Sequence, residues 1–183
     1  MFTKYVAMII GALNKCGRVN KNTVELFGVV NQFNNFDPDT EYKEAKEWYK
    51  INRINGEKIF RAKMKQELYH YRYLMNGLKQ MIEYNRFYFK EEPVGSRKIN
   101  ISSIDCISSI QLIPRKEEMA VMVFIRSSDV ENLLLVDLVG CALIMKELRK
   151  FIYDTVLSSD AIKLSMCIMI GSAHIYPFKD PRR

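Results

Sequence analysis

Hydrophobic positions change period along the chain, and that change divides it into helices and strands. Tyr5, Met8, Ile9 and Leu13 recur at helical spacing, which predicts a helix over 3–14. Val24, Leu26, Val29 and Val30 then favour a strand over 23–33, with Gly28 as a bulge or close-approach point. Asp37-Pro38-Asp39-Thr40 is a turn that also offers caps to a helix over 40–51. Two further helices are expected over 57–76 and 78–90, both rich in tyrosine and lysine, before Pro93-Val94-Gly95 stops the second. Beyond them, 99–104, 107–113, 119–125 and 164–170 read as strands.

Between the last two strands, 132–156 predicts a helix whose first part is apolar almost all round. Asp137 interrupts that run, which is too short to span a bilayer, so the segment is expected to be the central buried helix of an α+β domain. One domain over 1–183 follows, with 48% hydrophobic residues to fill its core. Lys4 and the apolar residues 5–13 faintly resemble a signal peptide, but no small-residue cleavage site follows and an amphipathic helix is expected instead.

Charge narrows the partners only to anions. A formal net charge of +7 fits a nucleotide, a nucleic acid or a membrane surface. No basic block, repeat or low-complexity tract is present, so neither a nucleic acid nor a membrane is an expected partner. An RNA- or DNA-binding role for the Tyr/Lys-rich segment 57–90 is a remote alternative. The four cysteines lie far apart without CxxC spacing, which argues against a zinc cluster and for a reducing cytoplasm.

Three groups carry candidate chemistry. Arg115-Lys116-Glu117 joins two apolar strands, so a hairpin centred near Lys116 would set Cys106 opposite Arg126, ten residues to either side. In a bulge-free hairpin their Cβ atoms would be roughly 5 Å apart. The guanidinium would then favour the thiolate or grip a phosphate; an ordinary buried cysteine beside an arginine reaching solvent is the alternative. Asp137, alone in an apolar helix, is either a hydrogen-bonding partner between helices or an acid facing a ligand. His174 and Tyr176, two apart on an extended segment, share a face, to pack there or to meet a ligand hydroxyl.

In order along the chain, these positions resemble the thymidylate synthases and the related dCMP hydroxymethylases. Arg18 followed by Thr23-Val24-Glu25-Leu26-Phe27-Gly28 is similar to the family's phosphate-loop arginine and first strand. Ser96-Arg97-Lys98 resembles the segment that reaches a partner subunit's phosphate. Cys106 stands in place of the catalytic cysteine, although Asp105 and Ile107 flank it where the family has Pro and His. Arg126-Ser127-Ser128-Asp129 resembles the family's Arg-Ser-x-Asp, and Gly171-Ser172-Ala173-His174-Ile175-Tyr176 its Gly-Asp-x-His-x-Tyr. Asp137 stands where thymidylate synthases carry Asn and dCMP hydroxymethylases Asp. The family's early-helix glutamate has Glu44, Glu47 and Glu67 as possible counterparts.

The resemblance implies a mixed, mostly antiparallel sheet packed with helices around one central helix. It also implies a homodimer and a pyrimidine nucleotide ligand, with cytosine favoured by Asp137. Cys106 and Asp137 would be catalytic. Arg18, Arg126, Ser127 and the partner copy's Arg97 and Lys98 would hold phosphate, and Asp129, Asp137, His174 and Tyr176 the base and sugar. The implied reaction is one-carbon transfer to C5 from methylenetetrahydrofolate, without a metal. Family enzymes continue well past the counterpart of Tyr176 into a tail that covers the folate, whereas seven residues follow it here. A nucleotide-capturing protein of reduced activity is therefore the alternative. The Lys-, Asn- and Ile-rich composition fits an AT-rich genome, and a phage source would place the protein in the host cytoplasm.

Overall fold

A computed structural model describes residues 1–20, 23–85, 99–103, 105–114, 118–155 and 163–176. In chain order the elements are α1 (Phe2–Cys16), β1 (Arg18–Asn20), β2 (Thr23–Asn34), α2 (Pro38–Asn52), α3 (Gly56–Tyr84), β3 (Asn100–Ser102), β4 (Ile107–Pro114), β5 (Glu118–Asp129), a π-helical turn (Val130–Leu134), α4 (Leu135–Thr155) and β6 (Lys163–Ile175). The class is α+β, as the change of hydrophobic period implies.

Local chemistry sets the starts and stops. Asp37 accepts a hydrogen bond from the Thr40 backbone N–H at 2.9 Å, and Pro38 opens α2 where no N–H is needed. On α1 the buried stripe is Phe2, Tyr5, Val6, Ile9 and Leu13; Met8, expected in that stripe, is exposed. The two helices expected over 57–76 and 78–90 differ from what forms, which is one helix, α3. Phe60, Tyr71, Leu74, Leu78 and Ile82 continue a single buried stripe straight through Gly77. A mid-helix glycine costs only about 1 kcal/mol, less than the packing of the leucines on either side contributes. Residues 86–90 lie outside the described residues.

The six strands form one sheet in the order β1-β2-β6-β5-β4-β3. Among the described residues only β5 and β6 pair in parallel, and α4 makes the crossover that such a pair needs. Leu135, Val136, Leu138, Val139, Cys141 and Ala142 are all buried, so α4 is the expected central helix. It packs against α1, α2 and α3.

A line runs across the sheet where every long strand changes its inward face. On β6 the core residues are Leu164, Met166, Ile168 and Ile170, then Ala173 and Ile175; on β5 they are Met119 to Ile125 by twos, then Ser128. On β4 the change falls at Ser108, between Ile110 and Ile107, where the ladder shifts by one residue. On β2 it falls at Gly28, whose φ of 66° is open to glycine and strained for other residues. By register Gly28 faces Gly171, and Gly171 faces Arg126. A Cβ on Gly171 would sit 2.7 Å from the Arg126 carbonyl, so the strands can close up there only around glycine. Since a strand's two faces alternate residue by residue, one added residue re-aims all that follows. That is how Ser127–Asp129 and Ser172–His174 come to face differently from the strand bodies.

Candidate functional site

Cys106 and Arg126 meet across β4 and β5: the Arg126 N–H donates to the Cys106 carbonyl at 2.8 Å. The juxtaposition expected from the hairpin is present, but by another route. The inner ladder pairs Pro114 with Met119 and Ile110 with Val123, a register that, unbroken, would set Cys106 against Ser127. The bulge at Ser108 restores Ile107 opposite Ile125 and returns Cys106 to Arg126.

The expected thiolate is not what this neighbourhood favours. Partial burial pushes the Cys106 thiol above its ordinary range, and the charge of Asp137 pushes further. Arg126 pulls down, but Glu67 and Asp105 add to the rise, so the free site holds a neutral thiol.

Asp137 sits in the first turn of α4, 5% exposed. Burial raises its pKa from 3.8 to about 7, with the nearby Glu67 carboxylate pushing in the same direction and Ser128, Tyr71 and Lys63 opposing it. The Ser128 hydroxyl donates to Asp137 Oδ2 at 3.4 Å. Tyr71 reaches over from α3; its hydroxyl donates to the Val136 carbonyl at 3.2 Å and lies against the Asp137 carboxyl. Its ring occupies the space that a side chain at position 140 would fill, since a Cβ on Gly140 would lie 2.3 Å from it.

A second polar group crosses the sheet beyond the kink. Register sets Arg18 opposite Glu25, Glu25 opposite His174, and His174 opposite Asp129. Ser127 lies opposite Ser172 in the same region. His174 and Tyr176 pack edge to face with ring centroids 5.2 Å apart, on one side of the strand end. Asp129 is 8% exposed and caps the π turn, accepting from the Asn132 backbone N–H at 3.2 Å and from its side-chain amide at 2.7 Å. Arg18 lies on the edge strand, three strand spacings or about 14 Å from the strand of Arg126.

The candidate residues therefore divide. Arg126 and Asp137 both act on the Cys106 thiol, and the Glu67 carboxylate acts on Cys106 and on Asp137. Glu44 instead pairs with the Met1 ammonium at 2.8 Å and Glu47 with Lys50 at 3.2 Å, on other surfaces. Arg97 and Lys98 lie outside the described residues. Three participants escaped the sequence reading: Tyr71, Ser128 and the pair formed by His70 Nδ1 and Asp105 Oδ2 at 2.9 Å. Glu67 and Tyr71 are one helical turn apart, a spacing that could have marked a common face.

Two clefts open between α3 and β3, and Cys106, Arg126 and Asp137 are not among the described residues that line them. One of about 690 Å³ is lined by Tyr69, Arg72, Tyr73, Asn76, Gln80 and Asn100, among others. The other, about 540 Å³, is lined by Tyr69, His70, Tyr73, Ser102, Ser103 and Asp105. Among the described residues no group of three or more His, Cys, Asp or Glu could hold a metal ion, and no helix is long and apolar enough to cross a membrane. No protein-family model matches the chain, and no curated protein matches it in sequence.

Proposed function

We propose that the sheet end around Cys106 is a pyrimidine-nucleotide site at which the cysteine adds to C6 of a cytidylate and makes C5 exchangeable. The observation that carries this reading is the backbone bond of 2.8 Å that sets Arg126 beside Cys106, with the charge of the buried Asp137 acting on the same thiol. Arg126 holds the phosphate by its fork of donors. Asp137, titrating near 7, accepts from the N4 amino group of cytosine and can present a proton to N3. The thiol, neutral at rest, gives its proton to solvent as the sulfur adds and regains one from solvent when it leaves. Thiolate addition across C5=C6 places an electron pair on C5. C5 takes a proton from water, loses its original hydrogen, and the thiolate leaves with the double bond restored. Methylenetetrahydrofolate rests on the resemblance alone, and the chemistry proposed for this chain is exchange at C5.

The test is release of tritium from C5-labelled dCMP, CMP, dUMP and UMP, with and without methylenetetrahydrofolate. Release from a cytidylate supports the reading. Tight calorimetric binding with no release from any of the four favours the second reading, a nucleotide-capturing protein, to which the raised Cys106 pKa lends support.

A homodimer belongs to the same proposal. The sheet face away from the helices exposes Phe27, Val30, Met122, Phe124 and Met169 by 37–61%. An apolar patch of that kind marks an interface. Face-to-face packing of two copies would cover it, and sedimentation should give twice the chain mass; a monomer at micromolar concentration would refute it.

A further inference from the structure

The two clefts along α3 have a chemistry that a mononucleotide site does not use. Tyr69 and Tyr73, one helical turn apart, stand 85% and 54% exposed. Both line both clefts, as does Ser102, so the clefts form one trough. Arg72 lies in it. Among the described lining residues its charge is opposed only by Asp105, whose carboxylate is engaged with His70. From Tyr69 to Gln80 the trough follows about 16 Å of helix. Asp105, the residue before Cys106, is among the residues that line it.

Two exposed aromatic rings one helical turn apart, beside a cation and side-chain amides, suit stacked bases and a phosphate chain. We propose that the trough holds the nucleotides adjoining the target pyrimidine, so that a pyrimidine within a single strand is preferred over a free mononucleotide. This rests on the reading of Cys106 as the centre of a pyrimidine site. It also gives the Tyr/Lys-rich helix a role that a mononucleotide reaction leaves without one.

The experiment compares binding of single-stranded hexadeoxycytidylate and of dCMP to the intact chain by fluorescence anisotropy competition. The hexamer should bind at least about tenfold tighter than dCMP, and more weakly as salt rises. Tyr69→Ala and Tyr73→Ala should each weaken the hexamer by about 5- to 100-fold, the range expected for one lost stacking partner. Tyr69→Phe should restore it, and dCMP binding should not move in any of the three variants. A hexamer that binds no tighter than dCMP, or one indifferent to both tyrosines, overturns the proposal. If dCMP binds and exchanges while the hexamer shows neither effect, the trough fails and the pyrimidine site stands. If tyrosine-dependent hexamer binding appears without C5 exchange, the trough stands and the chemistry fails.

Discussion

Cys106→Ala should abolish tritium release from the C5 position of a bound cytidylate, by about a thousandfold or more, while dCMP affinity changes by no more than a few fold. The two outcomes separate because the sulfur forms its bond only during reaction, whereas binding rests on Arg126 and Asp137. Removing a covalent nucleophile takes away the step that all later ones follow, so little residual rate is expected. Cys16, exposed at the end of α1, supplies the control: Cys16→Ala should leave release unchanged. Equal release from the Cys106→Ala protein would assign the chemistry to another group.

The second large effect concerns pH and the fold itself. In the unfolded chain Asp137 ionises with a pKa near 3.8, but in the folded protein it holds its proton until about pH 7. Between those values the folded state binds a proton that the unfolded state does not. The stability contributed by this group is therefore full below about pH 4 and declines as pH rises to about 7, by on the order of 4 kcal/mol. Above that, a charge lies buried at the start of α4 with Glu67 nearby and with Ser128, Tyr71 and Lys63 opposing its cost. A carboxamide in the same place would not titrate. Asp137→Asn should accordingly gain on the natural protein as pH rises, by about that amount between pH 4 and 8, in denaturant titrations run at each pH. Parallel stability curves for the two proteins would show that Asp137 ionises normally.

How far the sequence discloses this arrangement depends on the range of each contact. The central helix was legible because ten apolar residues surround Asp137 in one run, and no exposed helix reads that way. The α2 cap was legible because Asp37 and Thr40 are three apart and act locally. Counting from a hairpin centre sets Cys106 opposite Arg126, but the count succeeds only because of the bulge at Ser108. A one-residue shift of ladder leaves no mark in local composition, and neither does the alignment of Gly28 with Gly171 across two strands. Glu67 and Tyr71 were harder still. Glu67 competed with Glu44 and Glu47 on equal terms, and what distinguishes it is the packing of α3 onto α4, a long-range contact. The break expected near Gly77 shows the converse error, in which a local signal gives way to a continuous buried stripe.

A crystal of this protein soaked with dCMP examines the whole account at one place. The Cys106 sulfur should lie about 3–3.5 Å from C6, the Arg126 guanidinium on the phosphate and the Asp137 carboxyl along the N3–N4 edge. A nucleotide bound elsewhere, or one that touches only one of these three side chains, would contradict it.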